Sequence, residues 1–255
     1  MTFFTRVVAA AALLWMFFVS PAEARVFDFK NEHVAIYVGG TFGNSAAGDG
    51  AYALASGNGT KFDKKVESTA SAEAGLLLSL EAVNFQLGVD YVMPRELKGV
   101  TGADSSGTPL FSLDSKLSAL VVGGGIELIP YRKPRSRLLI GFKYGYSMAN
   151  LTNRYSMTPA GTGAFGVGDY SEDATGTGVM LQGYAGWEIN FTDVWTVAIH
   201  AGYRELRILG FKSTKETTAI SGHQAEGQEI LNMDGSSRAV NFGGAYVGLN
   251  FRFYL

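Results

Sequence analysis

Over Ala245–Leu255, apolar residues alternate with polar or small ones. Ala245, Val247, Leu249, Phe251, Phe253 and Leu255 fall on one face, and Tyr246, Gly248, Asn250, Arg252 and Tyr254 on the other. Period two over about ten residues predicts a β-strand. Phe251 and Phe253 crowd positions where a soluble strand usually frays into water. Lipid on one face and a filled lumen on the other account for the pattern, as in a transmembrane strand.

The pattern recurs. His33–Gly43 carries Val34, Ile36, Val38 and Phe42 on one face; Ser71–Glu81 carries Ala74, Leu76, Leu78 and Leu80; Phe85–Met93 carries Phe85, Leu87, Val89 and Tyr91. Leu117–Leu128, Arg137–Ser147, Gly178–Asn190 and Val194–Arg204 alternate in the same way. With the last segment these make eight strands, joined alternately by three short turns and four long aperiodic stretches near 44–66, 94–116, 149–175 and 208–236. All six prolines fall outside the strands so drawn. The phase is lost near Gly243-Gly244, where a bulge is expected. The predicted fold is all-β: an eight-stranded antiparallel up-and-down transmembrane β-barrel, with no helix needed after the leader. Both termini and the short turns then share the periplasmic side, and the four long loops face outward.

Composition fits a wall of this kind. Glycine numbers 33, Phe 17 and Tyr 12, while charged residues are only 17%. Close packing and interfacial aromatic girdles use such residues. There is no cysteine, which removes disulfides, thiolate metal sites and a lipoprotein anchor. The net charge of −2 does not favour nucleic acid. Residues 1–24 read as a cleaved signal peptide: Arg6, the uncharged run Val7–Val19, then Ala22-Glu23-Ala24. That run is too short to span a bilayer as a helix. Residues 25–255 form the barrel, beginning with a charged lead-in over Arg25–Glu32 and with no domain expected beyond it.

With these elements in place, the chain resembles the small eight-stranded outer-membrane barrels of Gram-negative bacteria, of the OmpA, OmpX and OmpW type. The resemblance covers nearly all of residues 25–255 and rests on architecture, leader and terminal strand. It implies that Leu249, Phe251, Phe253 and Leu255 form the signal read by the outer-membrane assembly machinery, with Leu255 standing where the family usually has an aromatic. It also implies a location in the bacterial outer membrane.

Strand parity points Tyr37, Asp90, Lys143, Gln182, His200 and Asn250 inward near mid-height. Buried charges must pair, so Asp90 and Lys143 are the expected salt bridge, within either a structural plug or a gate opened by pair exchange or His200 protonation. Inward glycines such as Gly39, Gly88, Gly123 and Gly141 leave room for voids. Glu81, Glu127, Glu188 and Arg252 point inward near the periplasmic end, as a basal ion-pair ring or as solvated mouth residues. Trp187 and Trp195 flank one short turn at the level of an aromatic belt. Arg132, Lys133, Arg135 and Arg137 crowd another, to meet lipid headgroups or to stay solvated; Lys61, Lys64 and Lys65 are placed to meet lipopolysaccharide. The three histidines, His33, His200 and His223, lie in no nucleophile-and-base arrangement, so no enzyme, cofactor or metal is expected. The functional expectation is a plugged barrel with a structural or adhesion-like surface-binding role, its loops meeting an extracellular ligand. The alternative is a narrow channel for small, including hydrophobic, solutes.

Overall fold

The computed structural model describes residues 27–52, 59–93 and 96–255. The expected leader, its cleavage point and Pro94 lie outside them. Eight long strands form the wall: β1 (Val34–Gly48), β2 (Val66–Ser79), β3 (Val83–Met93), β4 (Pro109–Lys133), β5 (Ser136–Met157), β6 (Tyr170–Asn190), β7 (Trp195–Ser213) and β8 (Gly244–Tyr254). Each pairs antiparallel with the next, and β8 returns to β1 in an unbroken register from Ala35↔Tyr254 to Gly43↔Tyr246. The ring of eight long strands is closed. Val34, Tyr254 and the three short turns lie at one end, where Leu255 N–H donates to Val34 O and Tyr254 N–H to Val194 O.

Several strands run well beyond the lengths expected from periodicity. β4 has 25 residues and starts at Pro109; β5 has 22. Much of the second and third long stretches is wall. The alternation continues there, but the two faces exchange character. On the lower part of β4 the outward residues are Leu120, Val122, Ile126 and Leu128, over an inner face of Gly123, Gly125 and Glu127. Higher up, the outward residues are Ser112, Asp114, Lys116 and Ser118, and the buried ones Phe111, Leu113, Leu117 and Ala119. β5 turns over at the same level: Ile140, Phe142, Tyr144, Tyr146 and Met148 outward below, then Asn150, Thr152 and Arg154 outward above, with Leu151 and Tyr155 buried. The lower half therefore faces an apolar medium and the upper half faces water.

The upper half is filled by one apolar core. Tyr52, Phe111, Leu113, Leu151, Tyr155, Ile208, Phe211, Ile230 and Phe242 meet there. Short strands complete it: Leu97–Ala103 pairs with β4, Lys61–Phe62 with Leu97–Ala103, and Val240–Asn241 with β7. A helix, α1 (Pro159–Phe165), crosses one tip, contrary to the helix-free expectation; Thr158 caps it by accepting from Gly161 N–H, and Gly166 ends it at φ 70. No bulge occurs at Gly243. The pairings Asn241↔Arg207 and Gly244↔Arg204 keep one register, so no residue is inserted and the strand is only interrupted.

The core generates a prediction. Phe111 is fully buried, with its ring 5.3 Å from Tyr155 and 6.2 Å from Phe62. Phe111→Ala should cost about 3 to 5 kcal/mol. Limited trypsin digestion should then cut the upper half while heat-modifiable migration on gels shows that the lower barrel persists.

Candidate functional site

The lumen is built from inward residues of all eight strands and holds its charges in three layers, each neutral in itself. At the base, Arg252 donates to Glu127 at 2.6 and 2.9 Å and to Glu188 at 2.9 Å. Arg137 donates to Glu188 at 2.7 Å, to Ser79 Oγ at 3.0 Å and to the Tyr254 hydroxyl. Tyr254 and Thr196 donate to Glu188, while Tyr184 and Asn84 donate to Glu127. Both carboxylates are thus saturated with donors, which is the condition for burying an ion pair without a large net loss. Beneath this layer the lead-in folds into the mouth. Phe29 lies 4.4 Å from the Arg137 guanidinium carbon, and Phe27 packs edge-on to both Phe29 and Tyr254.

The middle layer corrects the expected Asp90–Lys143 bridge. Lys143 donates to Glu73 at 2.6 Å, its ammonium 5.4 and 5.6 Å from the Tyr37 and Tyr184 rings. Asp90 is matched instead by Arg204 at 3.5 Å, which also donates to Thr69 at 3.0 Å. Glu73 and Asp90 sit opposite each other on β2 and β3, so two cations must approach from the far wall. Gln182 donates to Tyr246 at 2.6 Å, and His200 is set between Tyr184 and Tyr246. Asp90, Lys143, Gln182, His200, Tyr37 and Asn250 are all buried on the inner face. Above them, Arg238 donates to Glu172 at 2.6 Å inside the apolar core. Burial alone would lower the Arg238 pKa, but Glu172 holds it above the usual value.

The inward glycines are seats and not voids. Gly75, Gly88, Gly123 and Gly145 form one row across β2 to β5. Tyr37 lays its hydroxyl over Gly75 and Gly88, while the Tyr184 ring covers Gly141 and the His200 ring Gly248, so that a Cβ at any of these would overlap the side chain. One cavity of about 20 Å³ is left beside Tyr37, Glu73, Asp90 and Lys143. It has room for about one water.

Two further expectations need correction. Glu81 is exposed, because β2 ends at Ser79 and residues 80–82 turn; Ser79 and Asn84 serve the base in its place. Arg137 is not a headgroup ligand. It shares the inward parity of Leu139, Gly141 and Lys143 and is wholly buried, whereas Lys133 and Arg135 are exposed and Arg132 half-buried.

Outside, the large exposed apolar side chains of the lower half form a continuous belt. At its short-turn edge, Trp187 lies 6.1 Å from Tyr131, and Trp195 packs on Phe191, Phe251 and Phe253. Leu249, Phe253 and Leu255 are exposed in the belt, with Phe251 half-buried. A closed antiparallel ring with an even number of strands, an apolar belt and an aromatic edge belongs in the bacterial outer membrane. The chain is a small eight-stranded outer-membrane β-barrel.

No family model and no curated protein matches the sequence. Solved barrels do align over most of the chain. Neisserial surface protein A is 10% identical, covering 87% of this chain and 97% of its own, with a TM-score of 0.44. OprG from Pseudomonas aeruginosa is 13% identical, covering 90% and 99%, at 0.46. The outer membrane protease OmpT from Escherichia coli is 12% identical, covering 91% and 97%, at 0.35. At these values no activity carries over.

Residues that periodicity did not mark as partners include Glu73, Arg137, Arg204, Arg238, Glu172, Phe27 and Phe29. Parity is a usable signal for the first three; the others sit in stretches read as lead-in or loop. Two predictions follow from the lumen, both read from urea unfolding in detergent micelles. Arg252→Ala leaves the buried Glu127 without its cation, while Glu188 keeps Arg137, and should cost about 3 to 5 kcal/mol. Gly141→Ala should cost about 1 to 3 kcal/mol, because a Cβ there meets the Tyr184 ring; Gly183→Ala, on an open site, should cost less.

Proposed function

We propose that this barrel is a sealed, non-conducting surface protein of structural or adhesion-like role, which holds its extracellular tips away from the membrane to meet an external ligand. The observation that carries the reading is the stacking of three closures along one lumen: the Phe27/Phe29 mouth with its Arg252–Glu127–Glu188–Arg137 network, the Lys143–Glu73 layer, and the apolar core around Phe111 and Phe211. A wall that continues as paired strands above the membrane also gives the tips a stiff support. They are α1, the turn at 104–108 and the turn at 232–236. Asp104 and Asp234 brace the two turns by accepting from Ser106 and Ser236. Those hydrogen bonds hold both carboxyls below their usual pKa.

On this reading residues 1–24 direct export, and the outward face of β8 is what the assembly machinery recognises. The channel alternative requires solute to pass all three closures.

Planar-bilayer recording separates the two. Refolded protein, with heat-modifiable migration confirming the barrel, should show no discrete openings over thousands of molecules. Stepwise single-channel currents from the unmodified chain would contradict the sealed reading and favour the narrow channel.

A further inference from the structure

A recess lies on the outer face of the wall, outside the lumen and apart from the tips. It occupies about 280 Å³ where β3 leaves the wall and Leu97–Ala103 takes over as the neighbour of β4. Lys98, Lys116 and Arg154 converge on it with Thr152, against two carboxylates, Glu96 and Asp114. Lys116 is opposite Thr152, and Asp114 is opposite Arg154, on β4 and β5.

Both carboxylates are already engaged. Asp114 accepts from Gly99 N–H at 2.8 Å, holding the left-handed turn at φ 58, and Glu96 is shared by Lys116 at 3.3 Å and Lys98 at 3.7 Å. The turn is pinned from its other side by Lys64, which donates to Lys98 O and Gly99 O at 2.8 and 3.0 Å. The pocket is therefore a shaped recess with a net cationic lining and a hydroxyl.

Its height identifies what reaches it. Lys116 and Thr152 lie four residues above Leu120 and Met148, the last apolar pair of the belt. At about 3.3 Å per residue and a strand tilt near 40°, that is roughly 10 Å above the hydrocarbon. Outer-leaflet lipid presents its sugars and phosphates at this level.

We propose that this recess binds a phosphorylated saccharide, the headgroup of an outer-leaflet glycolipid, with Arg154 and Lys116 on the phosphate and Thr152 and Asp114 toward sugar hydroxyls. The recess is large enough for one sugar ring with its phosphate, and guanidinium and ammonium groups favour phosphate oxygens. The proposal rests on the outer-membrane location and not on whether the lumen is sealed.

The test is calorimetric titration of the refolded barrel in a zwitterionic detergent with lipopolysaccharide, with phosphatase-treated lipopolysaccharide and with glucosamine 1-phosphate. The expected result is saturable binding of the intact glycolipid, at least tenfold weaker after phosphatase treatment and at least tenfold weaker in Lys98→Ala/Lys116→Ala/Arg154→Ala. Lys212→Ala, a cation outside the recess, should change it less than twofold. Glucosamine 1-phosphate binding as tightly as the glycolipid, and lost in the triple variant, would keep the phosphosaccharide site but contradict its lipid source. Equal binding by the triple variant, or indifference to phosphatase, would overturn the proposal. All substituted side chains are on the outer face, so loss of binding with heat-modifiable migration intact is not a folding defect.

Discussion

A β-wall that passes from lipid into water cannot keep its apolar side chains on one face. Below the crossing the outer face must be apolar and the inner face can be polar; above it the requirements exchange, because the exterior is now solvated and the interior must exclude water. Here the change falls at Ser118–Leu120 on β4 and at Met148–Asn150 on β5, neighbouring positions in one register. The rest of the architecture follows from it. Since side chains alternate strictly, a strand changes its medium by changing residue type without changing its path.

Filling the two halves takes different chemistry. The upper interior is solved as a soluble protein solves it, with Phe, Tyr, Leu and Ile around one Arg–Glu pair. The lower interior lies between that core and the Phe27/Phe29 mouth, and its charges are balanced layer by layer. Arg137 and Arg252 stand against Glu127 and Glu188; Lys143 and Arg204 stand against Glu73 and Asp90. A layer with an odd charge would leave an ion buried and unpaired, at a cost of several kcal/mol. Glycine is the complement of these large side chains. Tyr37, Tyr184 and His200 can lie along the inner face only because their register partners on the adjacent strands, Gly75, Gly141 and Gly248, have no Cβ.

Much of the lower half was legible in the sequence because its period and its chemistry agree. The eight strands, their order and the inward positions of Tyr37, Lys143, Gln182 and Asn250 come directly from alternation. The upper half was not legible for the same reason that makes it stable. Its strands keep the period, but apolar residues move to the opposite parity, so Pro109–Lys116 and Ala149–Met157 read as aperiodic. Pairing across the lumen was also out of reach, since parity gives the face but not the partner: Asp90 and Lys143 share a level, yet each finds a different counter-ion. Arg137 was grouped by its charged neighbours in the turn, when its parity placed it inside.

The absence of cysteine makes the inversion directly measurable. Single cysteines introduced along β4 from position 111 to 128 and spin-labelled in bilayers report collisions with oxygen, which partitions into lipid, and with a water-soluble nickel chelate. Even positions should be nickel-accessible from 112 to 118 and oxygen-accessible from 120 to 128, while odd positions are shielded from both. Oxygen access at 112 to 118, or nickel access at 111 to 119 on the inner face, would show that the wall does not change medium where the structure places the crossing, and the account would fall.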